Sequence, residues 1–113
     1  VARVAAFIPD LLFGSNVLGA LQAAGHDASL VGDPGRAADA DVLVVDLTTD
    51  AQRRIELVRE AAPPGVKTLA FYSHVENEVR EQALGAGFDM VVPRSRMARE
   101  GAALVERLSA PEQ

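Results

Sequence analysis

The chain contains no cysteine. Disulfides and thiolate chemistry are thereby excluded, and a reducing setting such as the cytoplasm is the natural expectation. Aromatic residues are scarce: four Phe and one Tyr supply few faces on which nucleic-acid bases could stack. Basic residues are outnumbered, 11 Lys and Arg against 16 Asp and Glu. The net charge of −5 disfavours nonspecific contact with nucleic acid or an anionic membrane. No apolar run approaches the roughly 20 residues of a membrane span. No basic segment followed by a long apolar stretch opens the chain, so no secretory signal is read. The first residue is Val1 and not Met, which fits processing or excision from a longer chain. Only two histidines occur, His26 and His74, with neither cysteine nor clustered acids beside them. They make neither a metal site nor a Ser-His-acid arrangement, and both are expected at the surface.

What is present is alternation. The 113 residues suit one domain, read as 1–109 with a frayed tail at 110–113, and a 49% apolar content supports a packed core. "RVAAFI" (3–8) reads as a buried strand, and Val17, Leu18, Leu21 and Ala24 then fall on one helical face before Gly25. "ASLV" (28–31) reads as a second strand. The segment 31–41, with its Gly and Pro, has room for little more than one helical turn. "DVLVVDL" (41–47) lacks polar alternation, so both of its faces are expected to be buried, as in the middle of a parallel sheet. Ala51, Ile55, Val58 and Ala62 form a helical stripe stopped by Pro63-Pro64-Gly65. "KTLAFY" (67–72) and "DMVV" (89–92) read as two further strands. Between them Val75, Val79, Ala83 and Ala86 mark a helix closed by Gly87. Met97, Gly101, Leu104, Val105 and Leu108 face inward on a last helix. Five strands alternating with helices, and no hairpin signal, predict a doubly wound α/β fold with a parallel sheet.

Reactive groups in such folds gather at the carboxyl ends of strands. The sequence places Asp46 after the third strand, Ser73 after the fourth and Arg94 after the fifth. A carboxylate can accept a phosphoryl group, a hydroxyl can bond its oxygens, and a guanidinium can offset its charge. With these residues the chain resembles response-regulator receiver domains along nearly its whole length. "DVLVVDL" is similar to the phospho-acceptor strand, with Asp46 at the acceptor position. "TLAFYS" resembles the strand that ends in the Ser or Thr switch residue, here Ser73. "ALGAGFDMVVPRS" (83–95) resembles the family's Ala-Gly-Ala-Asp-Gly-Tyr-Leu-Pro-Lys-Ser run, with Arg94 in place of the lysine. The resemblance implies a flavodoxin-like strand order, 2-1-3-4-5.

The departures shape the expected function. The two acids that hold Mg²⁺ in receivers fall here on Ile8 and Pro9, with Asp10 one place further on. Neither Ile nor Pro offers a side-chain oxygen to an ion that demands a near-octahedral oxygen set. Phosphoryl transfer in the family depends on that metal. Thr49-Asp50 replaces the family's Met-Pro turn, and Arg54 replaces a Gly that opens the third helix region. Arg for Lys keeps the charge but not the compact ammonium.

The resemblance therefore implies a degenerate receiver, or pseudo-receiver. Such a domain is expected to act in signalling through a protein partner or homodimer, over about residues 75–108, without bound Mg²⁺ or another cofactor and not as an enzyme. Two alternatives stand beside it: a genuine receiver phosphorylated weakly at Asp46, with Asp10 and Asp50 as an unusual metal pair, and a flavodoxin-like small-molecule binder using the loop at Gly14–Asn16. Local roles are also expected. "SHVE" (73–76) fits a capping box led by Ser73, and "FGSN" (13–16) fits a turn with a Ser or Asn cap. Arg94 is expected either to pair with Asp46 or to lie in solvent.

Overall fold

A computed structural model describes residues 2–73 and 76–110. The elements run β1 (Arg3–Phe7), α1 (Leu11–Ala23), β2 (Asp27–Leu30), a single 3₁₀ turn (Pro34–Arg36), β3 (Val42–Asp46), α2 (Ala51–Ala61), β4 (Lys67–Tyr72), α3 (Asn77–Gly85), β5 (Met90–Pro93) and α4 (Arg94–Ser109). The strands form one sheet in the order β2-β1-β3-β4-β5, and every pairing is parallel. This is the doubly wound, flavodoxin-like architecture that the alternation and the resemblance predict.

Strand period 2 divides the core into two layers. Val4, Ala6, Ile8, Val42, Val44, Leu69, Phe71 and Val92 point to one face, where Val17 and Leu21 of α1 and Met97, Leu104 and Val105 of α4 cover them. Ala5, Phe7, Leu43, Val45, Leu47, Ala70 and Tyr72 point to the other, against Ile55 and Val58 of α2 and Val79 and Ala83 of α3. All five residues of β3 are buried, as its unbroken apolar run requires. Leu108 is half-buried and packs against the same layer from the last turn of α4.

Two helices end by the same device. At α1, Gly25 adopts φ +94°, its N–H bonds the Gln22 carbonyl, and the His26 N–H bonds that of Leu21. At α3, Gly87 at φ +96° and Phe88 repeat the pattern on Leu84 and Ala83. The glycine supplies the left-handed step, and the residue after it is drawn beneath the helix. That geometry overturns the surface placement of His26, which is 5% exposed and accepts the Ala2 N–H at Nδ1 (3.1 Å).

Two expected caps are also corrected. Residues 13–16 lie inside α1, whose N-cap is Asp10: its carboxylate accepts the N–H groups of Leu12 (3.0 Å) and Phe13 (3.2 Å). The box led by Ser73 is not formed, because α3 begins at Asn77 with Glu76 at the N-cap. The Glu76 N–H instead bonds the Ser73 carbonyl. His74, Val75 and the tail residues 111–113 lie outside the described residues. Among those described, no helix is long and apolar enough to cross a membrane.

Candidate functional site

Parallel pairing brings the carboxyl ends of β1, β3, β4 and β5 to one edge of the sheet. Ile8, Asp46, Ser73 and Arg94 therefore lie along one edge of the sheet, but they do not join into one constellation.

Asp46 is 3% exposed, and both of its carboxylate oxygens are engaged. Oδ1 accepts the Thr48 N–H (2.8 Å) and the Thr48 hydroxyl (2.5 Å). Oδ2 lies 3.7 Å from Nη1 of Arg54, and the same nitrogen donates to the Asp46 backbone carbonyl at 2.9 Å. The partner of Asp46 is thus Arg54 and not Arg94. The cause is local. The β3–α2 connection is short, and it is turned by Asp50 in a left-handed conformation (φ +48°). This sets the first turn of α2 directly over the end of β3, where a long cation at residue 54 reaches the acid. The side chains of Arg54 and Asp46 are 12% and 4% exposed. Little solvent screens the pair, and removing either partner would strand a buried charge.

Arg94 has another neighbour. Its guanidinium lies over the Phe13 ring, with Cζ 4.2 Å from the centroid. Phe13 in turn packs on Phe71 at 5.1 Å between centroids and 50° between planes. A guanidinium on an aromatic face is attracted by the ring quadrupole. Arg94, Phe13, Thr48, Thr49, Ser73, Glu76, Ser95 and Ala98 line an open cleft of about 640 Å³. Asp46 is not part of that lining.

The end of β1 is apolar. Ile8 is 3% exposed within the core layer beneath α1. The helix approaches closely there: a Cβ added at Gly14 would sit 3.3 Å from the Ile8 carbonyl oxygen and 3.5 Å from its Cγ2. Pro9 is exposed, and Asp10 is used in capping α1. Magnesium, the ion the resemblance implies, does not fit this donor set. The positions just after β1 that would serve it carry a buried hydrocarbon, Ile8, and an imino acid, Pro9, and the oxygens of Asp46 already serve Thr48 and Arg54. Among the described residues no group of three or more His, Cys, Asp or Glu could hold a metal ion.

The residues that sequence reasoning missed are Arg54, Thr48 and Phe13. The available signal was Arg54 itself, a long cation in the first turn of the helix that follows β3, where the resembled family has glycine.

No protein-family model matches the sequence, and no curated protein matches it. Solved structures do. A response regulator receiver protein from Burkholderia phymatum is 19% identical with a TM-score of 0.78, over 96% of this chain and 95% of its own. A response regulator from Thermotoga maritima is 15% identical with a TM-score of 0.77, over 96% and 98%. The receiver domain of a sensor histidine kinase from Pseudomonas aeruginosa, a structure with a magnesium ion in its active-site cleft, is 18% identical with a TM-score of 0.75, over 96% and 97%. Over nearly its whole length, the chain has the fold of response-regulator receiver domains.

Proposed function

We propose that the chain is a degenerate receiver domain, a signalling module that works through protein contacts and does not use Mg²⁺-dependent phosphoryl transfer. The observation that carries this reading is the state of Asp46. An acceptor must present a free carboxylate oxygen to phosphorus beside a metal that offsets the developing charge. Here one oxygen is held by Thr48, the other faces Arg54, and Ile8 fills a place where an acid would be needed. No candidate nucleophile, base and metal come together, so the chain is not read as an enzyme.

The partner is a protein or a second copy of the chain. The surface expected to receive it, about residues 75–108, comprises α3, β5 and α4 among the described residues, and Leu84 stands 42% exposed on α3. With phosphorylation absent, control rests on partner binding or abundance.

The test is incubation with a small acyl phosphate and Mg²⁺, followed by intact mass. The unmodified mass is expected throughout. A stoichiometric phosphoryl adduct that disappears in Asp46→Asn would establish the chain as a genuine receiver.

A further inference from the structure

With Asp46 withdrawn beneath Thr48 and Arg54, the cleft above it keeps a lining that no function has yet absorbed. We propose that this cleft binds a small organic anion noncovalently. An acidic group, carboxylate or phosphate monoester, would sit at Arg94 and the neighbouring hydroxyls, and an apolar or aromatic body would lie against Phe13 and Ala98. The proposal deepens the degenerate-receiver reading, because it requires the cleft to be free of a phosphoryl group carried by Asp46.

Three observations carry it. The first is size: about 640 Å³ falls within the roughly 300–1,000 Å³ of small-molecule sites. The second is the charge pattern. Arg94 has no carboxylate within 4.0 Å among the described residues; it shares this with Arg53, Arg59, Lys67, Arg80, Arg99 and Arg107 but differs from them in lining this cleft. The Arg94 guanidinium lies over Phe13, a contact that favours one placement of the cation beside the cleft. A guanidinium edge can hold two oxygens of a carboxylate or phosphate at once. Among the described residues the one carboxylate lining the cleft, Glu76, is on an exposed residue, while the buried carboxylate of Asp46 faces Arg54.

The third observation is the mixture of groups. The Thr48 hydroxyl is committed to Asp46, which leaves Thr49, Ser73 and Ser95 as the hydroxyls of the lining. Phe13 and Ala98 make the rest of it apolar. Inorganic phosphate would use only the polar half of such a site. A ligand with a hydrocarbon body uses both, and burial of that body adds affinity.

The test titrates phenyl phosphate, inorganic phosphate and benzyl alcohol separately into the ¹⁵N-labelled chain, at constant ionic strength without Mg²⁺. The amide signals of Thr49, Ser73 and Ser95 and the Arg94 Nε–H are followed. Saturable shifts at these positions are expected with phenyl phosphate, with binding about fivefold or more tighter than for inorganic phosphate. Benzyl alcohol is expected to bind more weakly than phenyl phosphate. Arg94→Gln is expected to weaken phenyl phosphate binding about tenfold with an unchanged unfolding midpoint, and Arg99→Gln, outside the lining, to leave it unchanged.

Equal affinity for phosphate and phenyl phosphate would overturn the organic-anion assignment. So would indifference to Arg94→Gln, or no saturation by ~20 mM. The titration contains neither metal nor phosphodonor. Its failure therefore leaves the mass experiment standing, and an adduct on Asp46 would not decide the titration.

Discussion

The two ends of the sheet use polar side chains in opposite ways. At the amino ends of the strands, polar side chains staple backbone to backbone. His26 accepts the Ala2 N–H, Asp41 accepts the Arg3 N–H at 2.9 Å, and Asp89 accepts the Thr68 N–H at 2.8 Å, joining β1 to β3 and β4 to β5. At the carboxyl ends the only buried acid among the described residues, Asp46, bonds its own loop and faces a cation. The first end holds the strands in register through neutral backbone donors. The second holds a charge that the fold must neutralise. That difference sets the carboxyl edge apart as the end where a buried carboxylate is held against a cation.

The contrast can be broken by substitution. The largest effect is expected at the carboxyl end. Arg54→Met removes the cation from a buried acid and should lower unfolding stability by about 3 kcal/mol, read by urea denaturation. Next comes His26→Ala at the amino end. It leaves the Ala2 N–H without its buried acceptor and opens a small cavity, for a loss of about 2 kcal/mol by the same measurement. A loss at His26 equal to or greater than that at Arg54 would erase the distinction between staples on backbone donors and a buried ion pair. The smallest change is Asp50→Gly in the turn that presents Arg54. Relief of the left-handed strain is partly offset by the freedom glycine gains when unfolded, so thermal unfolding should show a gain of only about 0.3–0.5 kcal/mol.

Much of the fold was legible because its signals are local. The unbroken apolar run of residues 42–45 dictated a strand buried on both faces, and Gly25 and Gly87 marked helix ends that closed as expected. The early limit of α1 was not legible. Its first turn carries Leu11 and Leu12, 73% and 77% exposed, so the apolar stripe that reveals the helix starts one turn late and the Asp10 cap was passed over for residues 13–16. Ser73 and Glu76 satisfy a local capping pattern, yet α3 begins at Asn77 with Glu76 at its N-cap, and the Glu76 N–H bonds the Ser73 carbonyl. His26 was misplaced because its burial depends on a strand far away in sequence. The site was half legible: strand order alone brings Asp46, Ser73 and Arg94 to one edge, but the choice between Arg54 and Arg94 as partner of the acid depends on the tight β3–α2 turn and on Phe13 beneath Arg94.

The central claim is that Asp46 is committed to Arg54. A double-mutant cycle of Asp46→Asn, Arg54→Met and the pair, followed by equilibrium unfolding in urea, measures that commitment directly. A coupling energy of about 2 kcal/mol or more is expected, with the double variant more stable than Arg54→Met alone. A coupling below about 0.5 kcal/mol would mean that the two side chains act independently, and that the acid is free for other chemistry.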